Sequence, residues 1–259
     1  MTDQQEQEKR AEHLERMNRY VQRMNEVERD LTHPYIRPKD AATLILVDRS
    51  GPSPKVLLGK RHARHKFMPG RFVFPGGRVD PCDRAMPAAR PLDPLMEAQL
   101  MKRLQRPNPT KARAFALAAI RETFEETGLL LGIPNDAPVK APVGPWAEFA
   151  QARFLPDLST LRFIGRAITP PGRNRRFDAR FFTADASAIA HRIDGVTGPD
   201  AELVELVWMT LDDARQLDMP AVTGVMLEEL DARIADGFGH ELPVPFYQHP
   251  RGRFVRELL

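Results

Sequence analysis

Residues 121–129 read Arg-Glu-Thr-Phe-Glu-Glu-Thr-Gly-Leu, so three carboxylates stand within five positions of the chain. On a helix, at 100° per residue, Glu122, Glu125 and Glu126 project from the same face. Like charges at this spacing repel one another, and no lysine or arginine alternates with them on that face. A bound divalent cation would neutralise the cluster, and carboxylate oxygens suit Mg²⁺ or Mn²⁺. The alternative for the cluster alone is a solvated acidic patch.

The sequence around this cluster has the signals of a helix with defined ends. Thr110 is a good N-cap, the residues after it are rich in alanine, and Gly128 suits the left-handed conformation that ends many helices. We therefore predict one helix that begins at Thr110 and ends at Gly128, with the three carboxylates in its last two turns.

A glycine turn upstream completes a family signature. Residues 74–80 read Phe-Pro-Gly-Gly-Arg-Val-Asp, and together with residues 121–129 they resemble the signature box of the Nudix hydrolases. That box runs Gly, five residues, Glu, seven residues, then Arg-Glu-apolar-any-Glu-Glu-any-Gly-apolar, and Gly77 matches its first glycine. Two residues differ from the box, because Asp83 stands in place of its first Glu and Thr123 replaces an aliphatic residue.

The spacer within the box points to one branch of that family. It comprises residues 84–120, which is 37 residues where the box has seven. An interrupted box of this kind is similar to that of the peroxisomal coenzyme A diphosphatases. That branch also has a Thr-Pro pair and an Arg-Phe-Asp-x-x-Phe-Phe strand, matched here by residues 169–170 and 176–182.

The resemblance implies an α/β fold, namely a Nudix-type α/β/α sandwich around a mixed central sheet. We expect the Nudix domain to span residues 40–240, with a helical insert within the box at 84–120. Residues 1–39 form a helical extension before it, and residues 241–259 form a proline-rich tail after it.

The same resemblance implies a reaction. Nudix hydrolases cleave the diphosphate of a nucleoside diphosphate linked to another moiety, and this branch implies coenzyme A or acyl-coenzyme A as substrate. Other Nudix substrates, such as ADP-ribose, NADH or a dinucleoside polyphosphate, are the alternative. A non-catalytic Nudix module that binds a nucleotide is a further option, which the intact carboxylates argue against.

Site roles follow from the match. The metal ligands, for Mg²⁺ or Mn²⁺, are expected to be Glu122, Glu125, Glu126 and the Gly76 carbonyl, and the catalytic group Arg121, Glu122, Glu125 and Glu202. Arg121 would pair with a box carboxylate, and the base would be Glu122 or a Glu outside the box. Glu202 and Glu205 are the candidates for that outside Glu, and strand alternation lets only one of them face the site. Of the two we favour Glu202.

Basic residues supply the expected substrate contacts. Residues 61–66 carry five basic or titratable side chains, and cations of this kind position phosphates. Arg61 and Lys66 are the expected contacts here, and Arg175 is the expected contact on a basic tip between two predicted strands. The alternative interpretation of residues 61–66 is a solvated loop without a role in binding. Arg176 is expected to form an ion pair with Asp178 or with a box carboxylate.

Composition bounds the class of protein. The chain has 259 residues, a net charge of +3 and 42% hydrophobic residues, which suits one enlarged domain and argues against a nucleic-acid binder. No apolar run reaches the ~20 residues of a membrane span. Cys82 is the only cysteine and the N-terminus lacks a secretory signal. We expect a cytoplasmic protein that binds a small-molecule nucleotide and neither nucleic acid nor a membrane.

The first 40 residues predict an amphipathic helix. Residues 3–32 contain no proline and have an apolar stripe at Leu14, Met17, Val21, Met24, Val27 and Leu31. This stripe packs either on its own domain or on a second copy, which would make a homodimer through the N-terminal helix.

The remaining elements follow from periodicity and turn signals. Strands are predicted at 41–47, 55–60, 161–168, 176–183 and 202–209, and helices at 94–105, 146–154, 211–217 and 222–235. The helix at 94–105 lies in the insert, which forms either a wall of the substrate pocket or a surface excursion.

Overall fold

The computed structural model describes residues 3–26, 35–64, 69–173 and 175–259. Helices α1–α6 are Asp3–Glu26, Pro94–Met101, Pro109–Thr127, Ala147–Gln151, Leu211–Arg215 and Ala221–Ala235. Strands β1–β12 are Lys39–Asp48, Lys55–Arg61, Phe72–Val73, Gly76–Arg78, Leu129–Pro134, Phe154–Pro156, Arg162–Ile168, Phe177–Asp185, Ile189–Arg192, Leu203–Thr210, Pro245–Gln248 and Val255–Leu258. No helix in these ranges is long and apolar enough to cross a membrane.

A mixed sheet forms the centre of the molecule. Its main path runs β10-β2-β1-β8-β7-β11-β12, with β3 paired to β2 and β4 paired to β1. The β1–β8 and β7–β11 pairs are parallel, and β7 and β8, two of the predicted strands, pair antiparallel. A second sheet joins β6, β5 and β9.

Helices cover both faces of the central sheet, which confirms the predicted α/β fold. Leu44 and Leu46 of β1 pack in the hydrophobic cluster that contains α3, whereas Ile45 and Val47 pack in the cluster that contains α1 and α6. Because both faces of β1 are buried, its sequence is a continuous apolar run and does not alternate.

Helix α3 begins earlier than the sequence predicts. Its N-cap is Asn108, whose Oδ1 accepts a hydrogen bond from the Lys111 backbone N–H at 2.8 Å. Pro109 occupies the first turn, where its missing N–H costs nothing, so the predicted start at Thr110 is wrong. The helix ends at Gly128 with φ 73°, as predicted.

The insert is correspondingly shorter than its sequence suggests. Residues 109–120 of the interval 84–120 belong to α3, so the excursion itself covers residues 84–108. Its helix, α2, ends at Met101 and does not continue to residue 105. Helix α2 packs beside α3 through Met96 and Leu100, which are both buried.

The C-terminal residues are part of the sheet. The predicted tail at 241–259 contributes β11, which pairs with β7, and β12, which pairs with β11. Its prolines concealed these strands from sequence reasoning. Pro245 is tolerated because it is the first residue of β11, a position where proline is allowed.

Helix α1 docks on α6 of its own chain. Met17, Tyr20 and Met24 are buried, and Tyr20 lies so close to Gly224 that a Cβ at that glycine would overlap the ring. Of the stripe residues that the structure describes, Leu14 is the most exposed, at 60%. Val27 and Leu31 lie outside the described residues. The stripe is therefore covered largely within one chain, and a homodimer through α1 stays a prediction.

An ionic network around Glu228 fastens α1 and α5 to α6. The fully buried Glu228 carboxylate accepts from Arg16 Nε at 3.1 Å and Arg215 Nε at 2.8 Å, and His13 Nδ1 lies 3.3 Å away. Burial alone would raise the pKa of Glu228. The hydrogen bonds from His13, Arg215 and Arg16, together with the charge of Arg215, outweigh this effect and lower the pKa to about 2.

We expect Glu228→Gln to destabilise the protein by about 3 kcal/mol, because it removes the buried counter-ion of three partly buried basic side chains, His13, Arg16 and Arg215. The depressed pKa means that this stabilisation is complete above pH 4.5, the ordinary pKa of glutamate, and is lost as the pH falls toward 2. Urea unfolding of the wild type and the variant between pH 3 and pH 7 measures both effects. Glu12→Gln, which alters an exposed ion pair on α1, is the matched control and should change stability by under about 0.5 kcal/mol. Equal losses in both variants would contradict the role given to Glu228.

Candidate active site

The backbone of strand β4 lies directly against the glutamate side chains in the last turns of α3. The Gly76 N–H donates to Glu126 Oε2 at 3.0 Å, and a Cβ at Gly77 would overlap the Glu122 carboxylate. A side chain at position 77 would therefore push the strand away from the helix, and one at position 76 would overlap Ala42 and Thr43 of β1. The two halves of the sequence motif, separated by the insert, therefore come together as one site.

The three carboxylates form a partly buried cluster. Glu126 is 7% exposed, and Glu125 is the most accessible of the three, with a side chain 34% exposed. Burial raises the pKa of all three, to about 7 for Glu125 and well above the ordinary value for Glu126. Arg121 opposes this shift at Glu122 and Glu125. This burial contradicts the alternative of a solvated acidic patch.

The donor set of this cluster fits a divalent cation. Its atoms are carboxylate oxygens on one face of α3, and each carboxylate carries a charge that burial disfavours. A hard divalent ion bound among them would remove that penalty, since such ions prefer oxygen ligands.

Arg121 is the centre of a buried hydrogen-bond network. Its guanidinium donates to Glu122 Oε1 at 2.8 Å and to Glu125 Oε2 at 3.1 Å, as the predicted pairing with box carboxylates requires. It also makes a two-pronged contact with Asp83, through Nε at 2.8 Å and Nη2 at 3.1 Å. Trp146 Nε1 donates to the same Asp83 carboxylate at 2.9 Å.

Asp83 therefore orients Arg121 and has no contact with the other box carboxylates in the described structure. It is fully buried, and its second oxygen accepts from the Asp80 backbone N–H at 2.8 Å. Sequence reasoning missed Trp146, because nothing in its local sequence connects it to the box. The position of Asp83, where the family has a Glu, was the available signal for the aspartate.

The second departure from the box is also accommodated by the fold. Thr123 is fully buried, where an aliphatic residue would be expected. Its hydroxyl donates to the Ala119 carbonyl one helical turn earlier, at 2.8 Å, so its polar atom is satisfied inside the core.

Of the two glutamates outside the box, the structure brings Glu202 to the cluster. Its charge helps to raise the pKa of both Glu126 and Glu122, and its Oε1 accepts from Arg61 Nη1 at 2.9 Å. Glu205 lies on β10 beyond a register shift that follows Leu203, and it pairs with Lys60 of β2.

The three residues predicted to contact the substrate lie in different places relative to the carboxylate cluster. Arg61 lies beside the carboxylates through its pair with Glu202. Lys66 falls outside the described residues. Arg175 is exposed on the loop between β7 and β8. The substrate roles of all three stay predictions.

The fold and the carboxylate site together define a Nudix domain. A family model described as the NUDT19 Nudix domain matches residues 38–219, and the chain belongs to that family.

Similar proteins agree with this assignment. The acyl-coenzyme A diphosphatase NUDT19 of Gallus gallus is 29% identical over 237 residues, which cover 68% of this chain and 62% of the relative. The protein of the same name from Xenopus laevis is 26% identical over 207 residues, covering 62% of this chain and 53% of the relative. The chain thus spans less than two thirds of the length of these curated relatives. A NUDIX hydrolase from Alicyclobacillus acidocaldarius superposes with a TM-score of 0.51 at 26% identity, covering 80% of this chain and 86% of that structure.

Proposed function

We propose that this protein is a Mg²⁺- or Mn²⁺-dependent diphosphatase that hydrolyses coenzyme A or acyl-coenzyme A. The observation that carries the proposal is the partly buried cluster of three glutamates against a glycine turn, with Glu202 and Arg61 beside it. The names of the Gallus gallus and Xenopus laevis relatives support the substrate class.

Each group of residues in the site would have its own role in the hydrolysis of the diphosphate. A divalent ion held by Glu122, Glu125, Glu126 and the Gly76 carbonyl would offset the diphosphate charge and lower the pKa of the attacking water. Arg121 holds two of these carboxylates in place and so keeps the ligand geometry fixed. Arg61 would turn from Glu202 toward a substrate phosphate, exchanging one anion for another.

Glu202 is the better placed of the two candidate bases. Each carboxylate accepts from an arginine, Glu122 from Arg121 and Glu202 from Arg61. The Glu202 side chain is 46% exposed against 16% for Glu122, so Glu202 is the more accessible to solvent water. Glu202 would take a proton from that water as its oxygen attacks phosphorus. The bridging P–O bond then breaks, which yields 3′,5′-ADP and phosphopantetheine or its acylated form.

Glu202→Gln is expected to lower kcat by about 10²–10⁴-fold, the usual contribution of a general base. Its effect on KM should be small, because the charge it removes acts on the water and not on the substrate. Glu205→Gln is the matched control, since this exposed glutamate lies on the same strand and should keep wild-type kinetics. Steady-state kinetics with Mg²⁺ present measures both variants. A normal kcat in Glu202→Gln would assign the base role to Glu122.

A product analysis tests the substrate. Purified protein is incubated with Mg²⁺ or Mn²⁺ and with coenzyme A, an acyl-coenzyme A, ADP-ribose, NADH or a dinucleoside polyphosphate, and the products are separated by chromatography. We expect release of 3′,5′-ADP from the first two at the highest kcat/KM. Preferential cleavage of any other substrate would reject coenzyme A specificity, and no cleavage of any of them would reject the diphosphatase.

A further inference from the structure

A basic cavity lies at the other end of α3 from the carboxylates. Its volume is ≈ 550 Å³, and Lys111 in the first turn of α3 contributes to its wall. Lys111 precedes Glu126 by 15 residues, which corresponds to about 22 Å along the helix axis. None of the three carboxylates, the glycine turn, Glu202 or Arg61 lines the cavity. Its volume is within the range that holds small organic ligands.

The wall of this cavity carries an excess of positive charge. Six cationic side chains line it: Arg37, Arg103, Lys111, Arg166, Arg176 and Arg180. The carboxylates in the lining are Asp40 and Asp178. The lining therefore has four more cations than carboxylates, and one of these cations, Arg103, pairs with Glu257 outside the lining at 3.0 Å. The remaining excess of positive charge attracts anions.

The two carboxylates are already engaged by their neighbours. Arg166 donates to both oxygens of Asp178, at 2.8 and 2.7 Å. Arg180 donates to Asp40 at 2.7 Å, and Lys111 lies 3.5 Å from the other oxygen of Asp40. Both acidic groups thus act as counter-ions of the wall, and their repulsion of an anionic ligand is correspondingly reduced.

Arg176 is held in the cavity wall by hydrogen bonds to backbone carbonyls. Arg176 does not form the ion pair with Asp178 that the sequence predicted. It donates instead to the backbone carbonyls of Thr169 and Ile36, at 3.0 and 2.7 Å. Because neutral carbonyls hold it, its positive charge is not cancelled. Its guanidinium also lies 4.9 Å from the centre of the Tyr35 ring.

Arg180 provides an independent sign of a missing ligand. It is 1% exposed, and its Nη2 has no hydrogen-bond partner within the described part of the chain. The Phe115 ring lies 3.8 Å from its guanidinium carbon and offers no conventional acceptor. Buried donors of this kind are normally satisfied, so Arg180 leaves an unpaired donor within the wall of the cavity.

We propose that this cavity binds a small phosphorylated ligand of mononucleotide size. The phosphate would lie among the cations around Arg180, and the organic part would contact the apolar side chains of Leu104 and Ile168 and the exposed ring of Tyr35 at the rim. The proposal does not depend on the hydrolase activity, because it involves none of the carboxylate cluster.

Isothermal titration calorimetry in EDTA tests the proposal with AMP, inorganic phosphate and adenosine as probes. Chelation leaves the glutamate cluster without a cation, so that site repels anions and contributes least to the signal. We expect saturable binding of AMP, weaker binding of phosphate and the weakest binding of adenosine. Equal affinity for AMP and adenosine, or no binding of AMP, would overturn the proposal.

Rim variants locate the binding. Arg103→Ala and Lys111→Ala should each weaken AMP binding by about tenfold, the effect of losing one charge-assisted contact. Arg106→Ala is the matched control for the first, because Arg106 is exposed, does not line the cavity and has the same left-handed backbone (φ 55° against 57°). Lys102→Ala, an exposed lysine outside the lining, is the control for the second.

The AMP affinities of these four variants test whether the ligand binds in the cavity. Weakened binding in Arg103→Ala and Lys111→Ala, with wild-type affinity in both controls, supports a ligand in the cavity. Unchanged affinity in the two rim variants, or equal losses in the controls, would place AMP elsewhere and overturn the proposal. All four residues are partly or largely accessible, so the variants are expected to keep the wild-type melting temperature.

Discussion

Glu126→Gln is expected to abolish most hydrolysis, with kcat lower by roughly 10²–10³-fold, since one lost metal ligand costs several kcal/mol of transition-state stabilisation. The fold should survive. Glutamine has the same shape, and its carbonyl oxygen still accepts from the Gly76 N–H. Removing one negative charge also relieves a cluster in which burial and the charge of Glu202 disfavour ionisation.

The measurement combines kinetics with ligand-linked stability. Wild-type protein should melt at a higher temperature with Mg²⁺ or Mn²⁺ than with EDTA, because an ion that binds only the folded state stabilises it. Glu126→Gln should lose most of this increase, and Glu125→Gln should lose activity and metal response in the same way. Glu205→Gln is again the control. Wild-type turnover in either cluster variant at saturating Mg²⁺ would show that the ligand assignment is wrong.

The second large effect is expected from Arg121→Ala. Turnover should fall by roughly 10–100-fold, which is typical for a residue that orients metal ligands, while KM changes little. Stability should also fall, by about 3–5 kcal/mol, because Asp83 would keep a buried charge without its partner. A rise in KM at constant kcat would mean that Arg121 contacts the substrate.

A double variant separates the two effects. In Arg121→Ala combined with Asp83→Ala, the unpaired carboxylate is gone, so much of the lost stability should return. Turnover should stay low, because Glu122 and Glu125 still lack the guanidinium that fixes them. Urea unfolding and steady-state kinetics on the single and double variants measure this. Recovery of turnover together with stability would show that Arg121 matters only for folding.

Local sequence was sufficient to predict the helix and its acidic face. A period of 3.6 residues places Glu122, Glu125 and Glu126 together whatever the rest of the chain does. Gly128 ends α3 at a positive φ, which few other residues tolerate. The central strand β1 was likewise visible as an apolar run, and the α/β fold followed from the resemblance to the Nudix signature.

Boundaries and the C-terminal strands were less accessible to sequence reasoning. Asn108 caps α3 instead of Thr110, because a proline at the first helical position can precede the alanine-rich run. The strands β11 and β12 owe their pairing to an open edge of β7, which is 80 residues away in sequence. A proline-rich segment has no local pattern that reveals such a partner.

The amino-acid sequence by itself determined that three glutamates share a helix face and that a glycine turn precedes them. Tertiary structure decided how that face behaves: Glu126 is buried, Asp83 and Trp146 anchor Arg121, and Glu202 rather than Glu205 completes the cluster. The physical reason is range. Helix periodicity and capping depend on neighbours within a few residues, whereas burial, and the pKa values that follow from it, depend on groups brought together from distant parts of the chain.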